Sequence, residues 1–294
     1  MAGFLARAIG AYFYSGISRE VLFLKKFAQA VRASEVQKKM HPRRLMINLL
    51  WLILPIQAAA ATTGTLRLAT LEWRPYVAST LPGNGLTATI VASTAAQLDM
   101  SAKFDYFPWL RAMKLGINDG LYAGYFPAYY TEDRLATCHF SASIGTSTIG
   151  LAYLKTAPVE WAALDDLRKV RIGVVLGFSN GKQFDSMVAS KELNVEVSGT
   201  DLQNVKKLVA GRFPAIVIDR MVLEYLLRTE PGLIAMQKRI VFHAKPLAEL
   251  AMHVCFKRTE SARQLQLAFD KALLRVDQQR IETDYFDRLK PAVR

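Results

Sequence analysis

Short apolar strands alternate with helical segments along most of this chain, and this alternation constrains the fold more than any other feature. Residues 65–126 predict strand, helix, strand, helix, strand, and residues 158–227 repeat the alternation. Such a pattern favours a parallel sheet with helices on its faces. The sequence therefore predicts an α/β protein with two lobes and a cleft between them. The predicted strands are 65–70, 103–107, 121–126, 170–175, 195–197 and 215–218, and a helix is predicted over 158–168.

Five side chains come shortly after predicted strand ends in these two units. Ligands of α/β sheets bind outside the carboxyl ends of the strands, so side chains at these positions are candidates for one shared site. We interpret Trp109 mainly as a core residue whose helix packs on the sheet. The five are Trp73, Trp109, Tyr129, Ser179 and Asp219.

The N-terminal residues predict a targeting segment. A basic stretch at 40–44 precedes an apolar stretch at 45–56 and small residues at 58–61. This order is typical of a cleaved secretory signal peptide, which we place at 40–61, with a retained anchor as the alternative. Residues 1–39 are then either an extension created by a miscalled start or a genuine basic leader.

The charge and the metal-binding residue types exclude some classes of partner. The formal net charge is +13; residues 1–61 hold nine Lys/Arg and two Glu, which leaves +6 for the remainder. This modest excess does not indicate nucleic acid and suits a small anionic or zwitterionic ligand. His139, His243, His253 and the two cysteines are scattered without metal-binding spacing, so we predict no metal and no cofactor.

The run from Tyr129 to Arg134 contains the main candidate for ligand recognition. Arg134 follows a strand end among tyrosines, and its planar guanidinium matches a carboxylate and stays charged at ordinary pH. The alternative is an arginine that lies in solvent and caps a turn.

An ordered set of short motifs resembles the family 3 extracellular solute-binding proteins of bacteria, the polar amino-acid binding components of ABC importers. Each motif is common by chance, whereas their joint order is not, and the resemblance covers nearly all of residues 64–290. The motifs are Leu66–Thr70 followed by Trp73–Tyr76, Trp109 with its helix, Asn118–Gly120, Thr131–Arg134, Phe140–Ser141, Leu164–Leu167, Ile172–Gly177, and Ala210–Arg212 followed by Ala215–Asp219.

This resemblance implies a type II periplasmic-binding-protein-like fold, with two hinge strands and a cleft between the lobes. The first lobe would comprise residues 64–143 and 259–294, and the second lobe residues 144–258. A periplasmic monomer that captures an amino acid or related carboxylate by hinge closure, without chemistry, is implied, with an ABC permease as its partner.

The resemblance also assigns roles to particular residues. Arg134 would hold the ligand carboxylate and Asp219 its ammonium group, although Asp219 could equally cap a helix. Trp73 and Tyr76 would form an aromatic lid. Phe178, Ser179 and Asn180 lie in a loop that would offer backbone donors at a helix N-terminus.

The chain departs from the family beside the arginine. Pro127 and Tyr129 stand where many members have small residues, and Phe178 replaces a small hydroxyl residue. We expect Tyr129 and Tyr130 to narrow the pocket and to decide what Arg134 holds.

The family layout also bears on the two cysteines. It places Cys138 in the first lobe and Cys255 in the second, beyond disulfide reach. We therefore predict two free thiols.

Three other functions stay open. A sensor that presents its ligand state to a membrane partner would use the same fold. A dehydratase of cyclic carboxylates would need an acid in the cleft, for which Glu72 and Asp219 are candidates. A serine hydrolase is suggested by the G-x-S-x-G stretch around Ser179, with His243 or His253 as the base, although the upstream oxyanion motif is missing.

Overall fold

The computed structural model describes residues 64–289, which form nine strands and eight α-helices. The predicted signal peptide at 40–61 and the extension at 1–39 lie outside the described residues. The strands are β1 (Gly64–Thr70), β2 (Met100–Tyr106), β3 (Gly124–Tyr129), β4 (Cys138–Phe140), β5 (Thr146–Leu154), β6 (Arg171–Val175), β7 (Asn194–Ser198), β8 (Ala215–Asp219) and β9 (Ile240–Lys257). The α-helices are α1 (Leu86–Ala96), α2 (Trp109–Asn118), α3 (Glu132–Leu135), α4 (Lys182–Ala189), α5 (Asp201–Val209), α6 (Arg220–Thr229), α7 (Glu260–Leu273) and α8 (Gln278–Leu289).

The strands are hydrogen-bonded in the order β2-β1-β3-β9-β5-β8-β6-β7, with β4 paired to β9. Parallel pairs join β1 to β2 and β3, and β6 to β7 and β8. We call β1–β4 with α1–α3, α7 and α8 the first lobe, and β5–β8 with α4–α6 the second lobe. The predicted α/β alternation in two tandem units is confirmed.

The long strand β9 runs from one lobe into the other. Its residues up to Ala251 pair with β5, and its residues from Met252 onward pair with β3 and β4. Both β3 and β8 are buried along their whole length, as expected for strands with neighbours on both edges and helices on the faces. The lobe boundaries expected at 143/144 and 258/259 stay a prediction.

Close approach of two strands requires a glycine at Gly124. A Cβ at this position would overlap the carbonyl oxygen of Cys255 in β9. Because both partners are buried backbone, neither strand has space to move aside. Gly124 therefore sets how closely β3 and β9 pack, just before the residues that reach the cleft.

Three predicted elements differ from the structure. The second strand begins at Met100 and not at residue 103, and the third continues to Tyr129, beyond its predicted end at residue 126. The third strand begins at Gly124 and not at Leu121, because the Asp119 carboxylate accepts from the Leu121 N–H and prolongs the preceding turn. No α-helix forms over 158–168; a 3-10 helix spans Leu164–Lys169 instead. There the Asp166 carboxylate accepts from two backbone N–H groups just upstream and holds the chain in a turn.

Cys138 and Cys255 form a disulfide with their Cα atoms 5.1 Å apart, so the prediction of two free thiols is wrong. The family layout placed Cys255 in the second lobe. In the structure β9 has already crossed into the first lobe at this residue, where Cys255 lies opposite Phe140 of β4. The disulfide thus clamps β4 onto the end of β9, beside the chain crossings between the lobes.

Two searches of the described residues gave negative results. Between residues 64 and 289, no helix combines the length and apolar character that a membrane span requires. In the same range, no three His, Cys, Asp or Glu side chains come together as a metal-binding group.

Candidate functional site

A small cavity lies where the two lobes meet, and five of the nine predicted site residues line it. Its volume is about 20 Å³, which is room for one or two water molecules and no more. Trp109, Leu71 and Pro127 complete its wall. The five predicted residues are Trp73, Tyr129, Arg134, Phe178 and Ser179.

Arg134 lies on the single turn α3, which begins after the N-cap Thr131. Its guanidinium donates to the Tyr129 carbonyl at 2.9 Å and, more weakly, to the Gly177 carbonyl at 3.4 Å. It also lies over the Trp109 ring, 5.7 Å from the centroid. Among residues 64–289, no Asp or Glu forms an ion pair with Arg134. The half-buried positive charge is therefore balanced only by carbonyl dipoles and a ring face.

The Gly177 carbonyl joins the second lobe to the first at this point. It accepts from the Trp109 indole at 3.0 Å in addition to Arg134. Gly177 has φ +76°, in the left-handed region that favours glycine. This backbone conformation turns the carbonyl toward the first lobe, so the loop after β6 closes one side of the cavity.

Asp219 ends β8 and caps α6. Its Oδ1 accepts from the Val222 N–H at 2.9 Å, and its Oδ2 accepts from the Tyr76 hydroxyl at 3.0 Å and the Ser147 hydroxyl at 2.5 Å. Since Ser147 has one proton to donate, the Tyr129 hydroxyl must be the donor in its 2.7 Å contact with Ser147. Asp219 is thus 2% exposed and surrounded by donors from its own chain.

The pKa values of the buried tyrosine hydroxyls and of the Asp219 carboxyl are all raised. Burial, and then the negative charge of Asp219, raises the pKa of both Tyr76 and Tyr129, so both hydroxyls keep their protons. Burial likewise raises the pKa of Asp219, although its donors oppose that rise. The chain of donors also fixes the position of the Tyr129 side chain.

Asp201 is a second buried acid of the second lobe, and it begins α5 directly after β7. It is 8% exposed, and its Oδ2 accepts from the Trp73 indole at 3.2 Å. Burial, and then the charge of Asp219, raises the pKa of Asp201 to about 7. Within the described part of the chain, no Lys, Arg or His forms an ion pair with Asp201.

Two larger grooves open on either side of the small cavity. The Asp201 groove, about 470 Å³, is lined by Glu72, Trp73 and Arg74 from the first lobe and by Asp201 and Glu230 from the second, among others. The Tyr130 groove, about 600 Å³, includes Tyr130, Arg134, Phe178, Ser179 and Lys182. The cavity and the Asp201 groove adjoin each other, because Leu71, Trp73, Trp109 and Phe178 line both.

The loop after β6 offers fewer donors than the sequence suggested. The Asp185 carboxylate accepts from the Ser179 hydroxyl at 2.5 Å and from the Asn180 N–H at 2.9 Å. Asn180 is buried and lines a separate groove of the second lobe. Ser179 thus contacts a carboxylate, whereas the hydrolase hypothesis pairs it with an imidazole.

Neither candidate base of that hydrolase contacts Ser179. His243 Nδ1 contacts the backbone of Lys245, and His253 Nδ1 contacts the Ser141 carbonyl. A serine nucleophile needs a base within hydrogen-bond reach, and the described histidines lie elsewhere.

The predicted residues therefore lie in four different places. Five of them line the cavity, and Tyr76 and Asp219 lie behind it in the buried hydrogen-bond network. Tyr130 lines its own groove and is 55% exposed, and Asn180 lines a separate groove of the second lobe. Sequence reasoning missed Asp201 and Ser147. Asp201 comes soon after a predicted strand, as Asp219 does, and this position could have identified it as a candidate site residue. No sequence pattern distinguished Ser147.

No protein-family model matches the sequence, and no curated protein sequence matches it. Solved structures do resemble it. The ligand-binding core of GluR0 from Nostoc punctiforme, in complex with L-glutamate, has a TM-score of 0.62 at 18% identity, covering 76% of this chain and 99% of that chain. A histidine kinase sensor domain with similarity to periplasmic binding proteins has a TM-score of 0.63 at 14% identity, covering 75% of this chain and 95% of that chain. An ancestral amino acid-binding protein, a precursor of cyclohexadienyl dehydratase, has a TM-score of 0.57 at 14% identity, covering 76% of this chain and 95% of that chain.

At these identities the likeness establishes the fold and not the ligand. The chain has the two-lobed α/β fold of the periplasmic binding proteins, as the sequence predicted. The cavity and its two grooves lie at the junction of the lobes of this fold.

Proposed function

We propose that this protein is a periplasmic solute-binding protein that captures a small carboxylate, an amino acid or a related compound, by closure of its two lobes. The observation that carries the proposal is Arg134. A half-buried guanidinium without a carboxylate partner among the described residues, at the junction of two lobes, is suited to an anionic ligand group.

Closure supplies the mechanism of capture. Several hydrogen bonds connect the lobes: Tyr76 to Asp219, Trp73 to Asp201, and Trp109 to Gly177. A ligand shifts the protein toward this closed arrangement only if it contacts both lobes. Arg134, which already contacts Gly177 across the junction, is placed to couple carboxylate binding to closure.

We propose import through an ABC permease as the biological role, with the protein acting as a periplasmic monomer and performing no chemistry. The sensor role is the second candidate, because one similar structure is the sensor domain of a histidine kinase. Both roles use the same capture step. They differ in the partner that recognises the closed form.

The dehydratase alternative has less support from the site. Glu72 accepts from the Ser79 hydroxyl at 2.6 Å and pairs with Arg74 at 3.1 Å, so its carboxylate is occupied at the protein surface. Asp219 is enclosed by its own donors. Neither candidate acid is presented to the cavity beside Arg134.

Arg134→Ala tests the proposal. We expect the native protein to gain thermal stability with a subset of amino acids and organic acids, because a ligand that binds only the folded state stabilises it. Arg134→Ala should lose that gain and keep the native circular dichroism spectrum. Arg280→Ala, on the exposed face of α8, is the matched control and should behave as native. An undiminished thermal shift in Arg134→Ala would refute the proposal.

A further inference from the structure

We propose that the ligand is an elongated zwitterion, with its carboxylate at Arg134, its cationic amine at Asp201, and an apolar spacer along Trp73 and Phe178. This inference rests on the proposed function, since it takes Arg134 as the carboxylate anchor. It replaces Asp219 by Asp201 as the group that faces the amine.

The hydrogen bonds of Asp219 argue against a direct contact with a ligand amine. Three donors from its own chain already occupy its two oxygens, and two of those donors are buried hydroxyls of Tyr76 and Ser147. Because Asp219 is only 2% exposed behind these donors, an ammonium group would have little access to a remaining lone pair, and displacing a donor would leave that donor unpaired in the interior. Tyr129 also lies between Arg134 and this network, bonded to Ser147.

Volume leads to the same conclusion. The cavity beside Arg134 measures about 20 Å³, whereas pockets for small ligands usually measure about 300–1,000 Å³. Arg134 also lines the Tyr130 groove, at about 600 Å³, but Asp219 lines neither that groove nor the cavity, so neither space joins Arg134 to Asp219. The Asp201 groove, at about 470 Å³, lies within the usual range.

Asp201 has the properties expected of an amine acceptor. Its side chain is 8% exposed, accepts one side-chain hydrogen bond from the Trp73 indole, and has no cationic partner among residues 64–289. A buried acid of this kind gains most from a ligand that brings a positive charge. Glu230 lines the same groove. The one arginine that lines this groove, Arg74, is already paired with an acid. The groove therefore favours a cation.

The two proposed anchors line different spaces that adjoin each other. Arg134 lines the cavity and Asp201 the groove, and the shared wall contains Trp73, Trp109 and Phe178. The Trp73 and Phe178 rings lie 6.1 Å apart, edge to face, with one ring from each lobe. An α-amino acid carries its amine and its carboxylate on the same carbon, so its two charges stay close together. A ligand with methylenes between the two groups can place one charge in each space, with its chain along the residues that the two spaces share.

Isomers with the same atoms test the inference on the native protein. Calorimetry would compare 5-aminopentanoate with 2-aminopentanoate, and both with pentanoate, which lacks the amine. We expect the 5-amino isomer to bind at least tenfold more tightly than either of the others. Equal or tighter binding of the 2-amino isomer would overturn the inference.

Variants separate this inference from the proposed function. Asp201→Asn should weaken 5-aminopentanoate at least tenfold and leave pentanoate unchanged, with Glu224→Gln, an exposed carboxylate on α6 outside the groove, as the control that changes neither. Arg134→Ala should weaken both. Arg134-dependent binding that is indifferent to amine position and to Asp201→Asn refutes the inference alone. If no carboxylate binds, or if binding does not depend on Arg134, the proposed function fails and the inference fails with it.

Discussion

Replacing Asp201 by asparagine should change how the stability of this protein depends on pH. The side chain is buried, and its pKa rises from an ordinary 3.8 to about 7 in the folded protein. In the unfolded chain it returns to the ordinary value. The substitution keeps the shape and an oxygen that accepts from the Trp73 indole, and removes the ionisation.

The sign of the effect follows from proton binding. Between about pH 4 and pH 7 the folded protein holds a proton on Asp201 that the unfolded chain has lost, so the free energy of unfolding falls as the pH rises through this window. At about 1.4 kcal/mol per pKa unit, the rise from 3.8 to about 7 corresponds to a loss of about 4 kcal/mol by pH 8. The asparagine variant does not lose stability in this way. Removing the negative charge of Asp201 also removes its repulsion of the Asp219 carboxylate.

Denaturant unfolding at a series of pH values measures the prediction. The stability of Asp201→Asn relative to the native protein should rise by up to about 4 kcal/mol between pH 4 and pH 8, and most of the rise should occur below pH 7. Glu224→Gln, an exposed carboxylate on α6, is the control and should follow the native curve. A constant difference between Asp201→Asn and the native protein across this range would refute the reasoning.

Three further predictions concern the disulfide, the strand contact and the buried hydroxyls. Reduction should raise the monomer mass by two hydrogens, and replacing Cys138 and Cys255 by serine should lower stability by about 4–5 kcal/mol, since the crosslink spans 117 residues; an unchanged mass would refute it. Gly124→Ala should destabilise by about 1–3 kcal/mol or more in thermal unfolding, whereas Gly120→Ala, which meets nothing within 4 Å, should stay within about 0.5 kcal/mol; equal effects would contradict the packing account. Tyr129→Phe should cost about 1 kcal/mol in denaturant unfolding, because it removes one buried donor; a neutral result would show that this bond adds nothing.

The sequence predicted the elements that depend on nearby residues. Strand and helix periodicity, turn residues and the order of elements are local properties, and they were enough to indicate two α/β lobes. Arg134 was found for the same reason, since its place at a turn after a strand is set within ten residues. The predicted start of the strand at 121–126 was wrong by three residues, because the turn after α2 continues through a hydrogen bond from the Leu121 N–H to the Asp119 side chain.

Contacts between distant residues could not be derived in this way. Asp219 meets Ser147 and Tyr76 across separations of 72 and 143 residues, and Trp73 meets Asp201 across 128. Which donors reach which acid depends on the register of strands and on how the lobes meet. Only the structure shows that Asp219 is enclosed and that Asp201 faces a groove.

The cysteines show the difference most clearly. Their number and the absence of metal-binding spacing are plain in the sequence, yet their pairing depends on where an eighteen-residue strand crosses between lobes. Local periodicity did not predict β9, and the residue at which this strand changes partners is a property of the assembled sheet. Sequence alone therefore determined the architecture and singled out Arg134, and tertiary structure decided the disulfide, the cavity size and the position of Asp201 in a groove.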